Sequence, residues 1–358
     1  MFVQPTAGSK AVSDYGLDSW TVNAPLTGVC VERSGQFAAF AGGDGCVRIV
    51  SLVEPESSLS VWSLTKGAVL ALTPDCQARG FLCGADDSAL YQVHPMDGPR
   101  ELALLTRSWP DQVVAHPRGL RAVSDGPEVR LLDAEGRLVT VLAEHPSTVA
   151  GLAFDDSGRR LAVSHYNGVS LWTLDGRSGE PQRLCHRGSH LDLTWSRNGR
   201  FLVTATQEKT LHVWDLVSGQ DSTLGPCINK VKALSWSADG SWLLASGADT
   251  VSGWSFSNDR LPAAAPHMLG RYSEYLIGNV CANPSLALAA AGYNDGGLEL
   301  VSLAVQPQRR SLVRAPSSPI AGLAWSPSGD HLLGGDKDGR LFAYRFDSDS
   351  LARLACTD

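Results

Sequence analysis

No two cysteines in this chain are spaced as C-x-x-C, although eight are present, at 30, 46, 76, 83, 185, 227, 281 and 356. That spacing is what a zinc ribbon or a dithiol redox site would need, so the thiols read as reduced and structural. Cys30, Cys83 and Cys281 fall inside apolar runs, where a thiol acts as a small filler. Runs of Lys or Arg are also missing; "RR" occurs at 159 and 309 only, and the net charge is −7. A protein that sleeves nucleic acid needs a concentrated basic face, so no nucleic-acid partner is expected. The longest apolar runs, such as "LALAAAG" at 286, fall far short of the roughly 20 residues of a membrane span. The first residues show no charged-then-apolar leader pattern. No membrane association and a cytoplasmic location are the expectations. The composition leaves the oligomeric state open. A GxSxG elbow is absent too. "GGDG" at 42 joins two strands, lacks the helix N-terminus that would hold a phosphate, and reads as a tight hairpin.

What is present is repetition. Four copies of one pattern are clear: residues 149–172, 190–215, 231–254 and 320–344. Copies at 26–50 and 111–132 are fair, and those at 68–93 and 278–301 are degenerate. Each holds three alternating runs. A D/S/N-G turn joins the first two and a tight turn such as "GDG" or "KDG" joins the next two, the mark of antiparallel hairpins. A weaker fourth run follows, as in "SLSVWSL" at 58 and "LVTVLAE" at 138. Four strands per period of about 40 to 45 residues make one propeller blade. The expectation is an all-β propeller of eight four-stranded blades with almost no helix; the alternative is seven blades. Residues 1–17 read as a tail and 18–358 as one propeller domain. "DSWTVNA" (18–24) or "LARLACT" (351–357) would complete the last blade, with the first favoured because it removes a free edge.

On these residues the chain resembles the WD-repeat β-propeller family, over roughly residues 20–358. Trp214-Asp215 keeps the family's terminal pair, and Trp172 and Trp254 keep the Trp alone. His145 and His186 occupy the family's His position, and Cys227 stands where His is expected. Thr206 and Glu208 match its Ser and Asp, while His165 and Asn167 depart from them. Trp195, Trp236 and Trp325 share one register of the first strand with Phe154, where an aromatic ring fills the space between blades.

The resemblance implies a non-enzymatic scaffold that presents a rigid face to protein or peptide partners, with no cofactor. Acidic residues recur in the tight turns: Asp44, Asp86, Asp125, Glu208, Asp249, Asp295 and Asp338. With His165 and His190 they mark the expected partner face, suited to a basic or mixed-charge partner. Turn chemistry alone also explains acidic residues there. The alternative is a metal-binding protein or enzyme with a site at the mouth of the central channel, made by His165, His186, His190 and Cys227. Three imidazoles and a thiol suit a borderline metal. Their origin in three successive copies argues against it.

Overall fold

The structure, a computed structural model, describes residues 2–3, 15–54, 58–143, 145–175, 179–256, 260–270, 272–304, 309–313 and 318–355. It is a ring of antiparallel sheets. The anchor glycines on which the copies align, Gly35, Gly80, Gly119, Gly158, Gly199, Gly240 and Gly329, all have positive φ. In these seven copies a left-handed residue closes the first turn, which is why the repeat is legible there; the copy at 278–301 has Ser285 instead. The first strands of the copies pack side by side around the centre, from Leu26–Val31 and Val69–Pro74 round to Ile320–Trp325, which touches Leu26–Val31 again.

The strands join into seven hydrogen-bonded sheets, the alternative count; the leading expectation of eight separate blades is one too many. The difference lies wholly in the fourth and fifth copies, which share one sheet. The long element Arg160–Thr173 doubles back at Asn167 and Gly168, both with positive φ, and the Leu174 amide donates to the Arg159 carbonyl at 2.7 Å. Its tip, Tyr166, pairs with Ser189. The element Gln182–Trp195 serves as the outer strand of the fourth copy and continues as the inner strand of the fifth. The connection 187–189 is too short to leave the sheet, so pairing runs through it. Both copies are complete in strands; what is lost is the break between them.

Tyr15–Thr21 pairs along its whole length with Arg340–Phe346 and buries Trp20 completely. Phe2–Val3 adds a further strand to the outer edge Leu59–Ser63. The one helix among the described residues is Ser348–Ala355. Asp347 caps it by accepting the Ser350 amide at 3.1 Å. Leu351 and Ala355, one turn apart, pack under Trp325, Phe346 and Leu332. The segment "LARLACT" is thus helical over its described residues, and Cys356 lies outside them. Among the described residues no helix is long and apolar enough to cross a membrane.

The core consists of clusters lying between successive copies. Leu288, Leu298 and Leu300 of the seventh meet Trp325, Leu332 and Phe342 of the eighth. The aromatic register is visible in the bonding as well: Trp195 Nε1 donates to the Ala153 carbonyl at 3.1 Å and Trp325 Nε1 to the Cys281 carbonyl at 3.0 Å. Each indole thereby ties its copy to the one before. Trp236 departs from the pattern: it is half-buried, packs edge-on to Phe256, and its Nε1 has no partner. The seven described cysteines are free, and Cys30 and Cys83 are buried in the strands expected.

Candidate functional site: the face of the tight turns

One face of the ring carries the turns between second and third strands and the loops that link one copy to the next. The other carries the first turns and the links to the outer strands. On the tight-turn face, loop 227–230 is seated between two turns: the Cys227 amide donates to the Lys209 carbonyl at 2.8 Å and the Asn229 amide to the Gly247 carbonyl at 2.8 Å. The Ser273 amide donates to the Asp249 carbonyl at 2.9 Å, which seats loop 272–276 beside them. Turn 207–209, loop 227–230, turn 247–249 and loop 272–276 therefore form one continuous sector.

The seven turn carboxylates fare differently from one another. Asp125 is fully buried; it accepts the Arg107 and Ser108 amides at 2.9 and 3.0 Å and pairs with Arg130. It closes a loop and is not a contact surface. Asp44 pairs with Arg48. Burial alone would raise its pKa, but the Arg48 hydrogen bond and charge hold it below the usual carboxylate range. Asp86 accepts from Thr65 at 3.0 Å, and Asp295 accepts the Gly297 amide at 2.9 Å. Asp249 is half-buried, and its Oδ1 has no hydrogen-bond partner. Glu208 and Asp338 are exposed.

The histidines are structural in their bonding. His165 is buried; its Nδ1–H donates to the Tyr166 carbonyl at 2.8 Å and its Nε2 accepts from Ser170 at 2.9 Å. His190 is fully buried; Nε2–H donates to the His186 carbonyl at 3.0 Å and Nδ1 accepts from Thr204 at 2.7 Å. Neither is a surface contact, which corrects their assignment to the partner face. His145 keeps the family's loop position: Nδ1–H donates to the Pro127 carbonyl and Nε2 accepts from Trp172 Nε1 at 3.1 Å. His145 is fixed as a neutral tautomer, since a second proton on Nε2 would face the Trp172 N–H. Burial pushes His145, His190 and His212 down to about 4 and His165 in the same direction.

His186 and His190 do come together, at 5.3 Å between ring centroids, but their third companion is His212, stacked on His186 at 3.7 Å. Trp214 closes this cluster against His190 and His212. His212 Nε2 lies 3.0 Å from Asp221 Oδ2 without hydrogen-bond alignment, so the distance, and not a bond, describes the pair. His165 belongs to the neighbouring His145–Trp172 group. Cys227 packs against the apolar cluster of Leu211, Val231 and Trp254, where burial raises its pKa. The four proposed ligands thus do not converge. No three His, Cys, Asp or Glu among the described residues stand so as to hold a metal ion.

In the fourth copy the family-position His145 is hydrogen-bonded to Trp172, whereas in the fifth His186 Nδ1 has no hydrogen-bond partner. The family profile "WD domain, G-beta repeat" matches residues 179–215, 220–255 and 307–344. The chain carries WD repeats over these spans and folds as a β-propeller. Each of these spans begins at or just before an outer strand and ends on a third strand, so the repeat unit is offset from the sheet by one strand. The propeller is similar to "WD repeat and HMG-box DNA-binding protein 1" of Xenopus laevis, 24% identical over 335 residues, 87% of this chain and 28% of that one. It is also similar to "Chromatin assembly factor 1 subunit FAS2 homolog" of Oryza sativa subsp. japonica, 30% identical over 144 residues, 36% of this chain and 28% of that one. "WD repeat-containing protein 55" of Homo sapiens is 24% identical over 219 residues, 58% of this chain and 54% of that one. The chain therefore spans about a quarter to a half of these relatives' length.

Sequence reasoning missed the large apolar groups exposed on this face. Trp109, Tyr166, Ile228, Tyr272 and Tyr275 are all at least half exposed, and all lie in tight turns or linking loops. So do the five described lysines, Lys66, Lys209, Lys230, Lys232 and Lys337, each exposed. The face is mixed in charge and studded with aromatics, rather than an acidic ring. Lys209 even holds φ at +62° without being a glycine. The signal was available: once the turns were assigned to one face, their aromatic and lysine residues could have been read off with the acids.

Proposed function

We propose that this propeller is a protein-interaction scaffold whose partner docks on the tight-turn face, over the sector from turn 207–209 to loop 272–276. The observation that carries this is the pairing of exposed Tyr272, Tyr275 and Ile228 with unengaged charges of both signs, Lys230, Lys232 and Glu208, in one sector. Tyrosines in a rigid setting anchor protein interfaces at small entropic cost, and a surrounding polar rim sets orientation and partner choice. The family supports a protein or peptide partner. Two relatives are named for chromatin assembly and for DNA binding; a chromatin-associated protein is therefore the first partner class to test. A partner of mixed charge, with basic groups toward Glu208 and Asp338, fits this face.

The experiment is affinity capture with the wild-type chain and with Glu208→Lys/Asp338→Lys, followed by association kinetics on the captured protein. Exposed charges are screened beyond about 8 Å at physiological ionic strength, so the reversal should slow association in a salt-dependent way and change dissociation less. Kinetics unaffected by these changes and by Tyr272→Ala would remove the reading.

A further inference from the structure

The outer strands differ in how their free edges are managed. An exposed edge strand offers unpaired amides and carbonyls, and proteins usually blunt it with charge or cover it. Gly98–Leu104 carries exposed Arg100 and Glu101, and Asp221–Leu224 carries exposed Asp221. Arg309–Val313 holds Arg309 and Arg310, the outer part of Gln182–Trp195 holds Arg183, Tyr15–Thr21 holds Asp18, and His267–Leu269 has its imidazole. Two outer strands have neither charge nor histidine. One is Leu59–Ser63, and its edge is covered by Phe2–Val3 of the same chain. The other is Leu138–Leu142, which pairs on one side only, with Glu128–Leu132.

Leu138–Leu142 reads L-V-T-V-L, the same in both directions about Thr140. Leu138 is 54%, Val139 55% and Val141 39% exposed. An antiparallel strand laid on this edge with Thr140 at the centre would set Leu138 opposite Leu142 and Val139 opposite Val141. The segment that meets this requirement is the same segment of another molecule, related by a two-fold axis. We propose that Leu138–Leu142 is a self-pairing edge through which two copies of this chain associate. The register shift at Leu131/Leu132 bends the strand at its Leu138 end, and the two-fold axis repeats that bend at both ends of the pairing, so contact is closest around Thr140. Five residues bury less than a standard interface, so the dimer is weak and concentration-dependent. The edge lies on the rim and leaves the tight-turn face open on both copies.

The test uses the full chain in sedimentation velocity over a wide concentration range. The mass should rise from 38.1 kDa toward twice that value as concentration increases. Val139→Lys/Val141→Lys sets like charges opposite one another and should raise the dissociation constant at least about tenfold. A thermal melt matching wild type shows that the variant is folded. Thr140→Cys in a Cys185→Ser background should form a disulfide dimer on mild oxidation, because residues facing across a two-fold pair lie about 4.5–5.5 Å apart at Cα. Val53→Cys in the same background should not. A wild-type chain that stays monomeric at every concentration overturns the proposal. So does a dimer that neither responds to the lysine pair nor cross-links at 140.

Discussion

The two faces of the ring use their charged residues in opposite ways. On the first-turn face many charges are engaged in ties between or within copies. Asp75 and Arg121, both fully buried, form a two-pronged ion pair at 2.7 and 2.8 Å between the second and third copies. Arg160 bonds Asp155 of its own turn and the Gly199 carbonyl of the next copy. Arg200 grips Asp215, whose carboxyl it holds far below the usual range. Arg33 reaches the Asp75 and Ala115 carbonyls. The planar guanidinium suits such fixed, multi-donor ties. On the tight-turn face the described cations in the turns and loops include all five lysines, and the aromatics stand in solvent. One face clamps successive copies together; the other holds its groups for something outside the chain.

Breaking the clamp should have the largest effect. Asp75→Ala leaves the Arg121 guanidinium buried and unpaired, with an expected loss of about 3–5 kcal/mol in denaturant unfolding. Asp75→Leu/Arg121→Met removes both charges and should recover much of that loss, which separates the cost of an orphaned ion from the worth of the pair. Trp325→Ala should cost about 3–5 kcal/mol through the cavity it opens and the lost tie to Cys281.

Acid should act on the buried imidazoles next. His145, His190 and His212 titrate at about 4 in the folded chain, chiefly because they are buried, against about 6.5 when unfolded. As pH falls below about 6.5 the unfolded chain takes up protons first. Stability is full above that pH and is lost between about 6.5 and 4, on the order of 3 kcal/mol for His190 alone. Denaturant melts from pH 7 to 5 should show this slope, and His190→Asn should flatten it. A flat profile in the wild type would mean that these rings are not held neutral.

The tight-turn face should barely register in stability. Tyr272→Ala/Tyr275→Ala and Lys230→Ala/Lys232→Ala are each expected within about 0.5 kcal/mol of wild type. Arg200 is unsuitable for a matching control on the first-turn face, because changing it breaks the Asp215 pair. Arg159 and Arg197, both exposed there, are the suitable control.

The sequence made the strands and first turns legible because a left-handed glycine recurs at seven of the eight anchors and alternation fills the space between. It did not show that the fourth and fifth copies share a sheet. That depends on the short 187–189 connection and on one pair, Tyr166 with Ser189, which alternation does not encode. The terminal segment was offered as the less favoured closing strand and its helix was not foreseen, although Asp347 ahead of Ser348 was a capping signal and Leu351 and Ala355 stand one helical turn apart. The turn acids were visible as charge but not as bonded groups, yet Arg48 and Arg130 sit in the strands that leave those turns. Trp214 stood out as half of the family's terminal pair, whereas its companion His212 was overlooked because it sits mid-strand.

The most direct test of the division between faces is a pair of affinities for the captured partner. Tyr272→Ala/Tyr275→Ala should weaken binding by about tenfold or more, roughly 1.4 kcal/mol, while Arg159→Ala/Arg197→Ala leaves it unchanged. Loss of binding in the arginine pair, with the tyrosine pair still at wild-type affinity, would contradict the account.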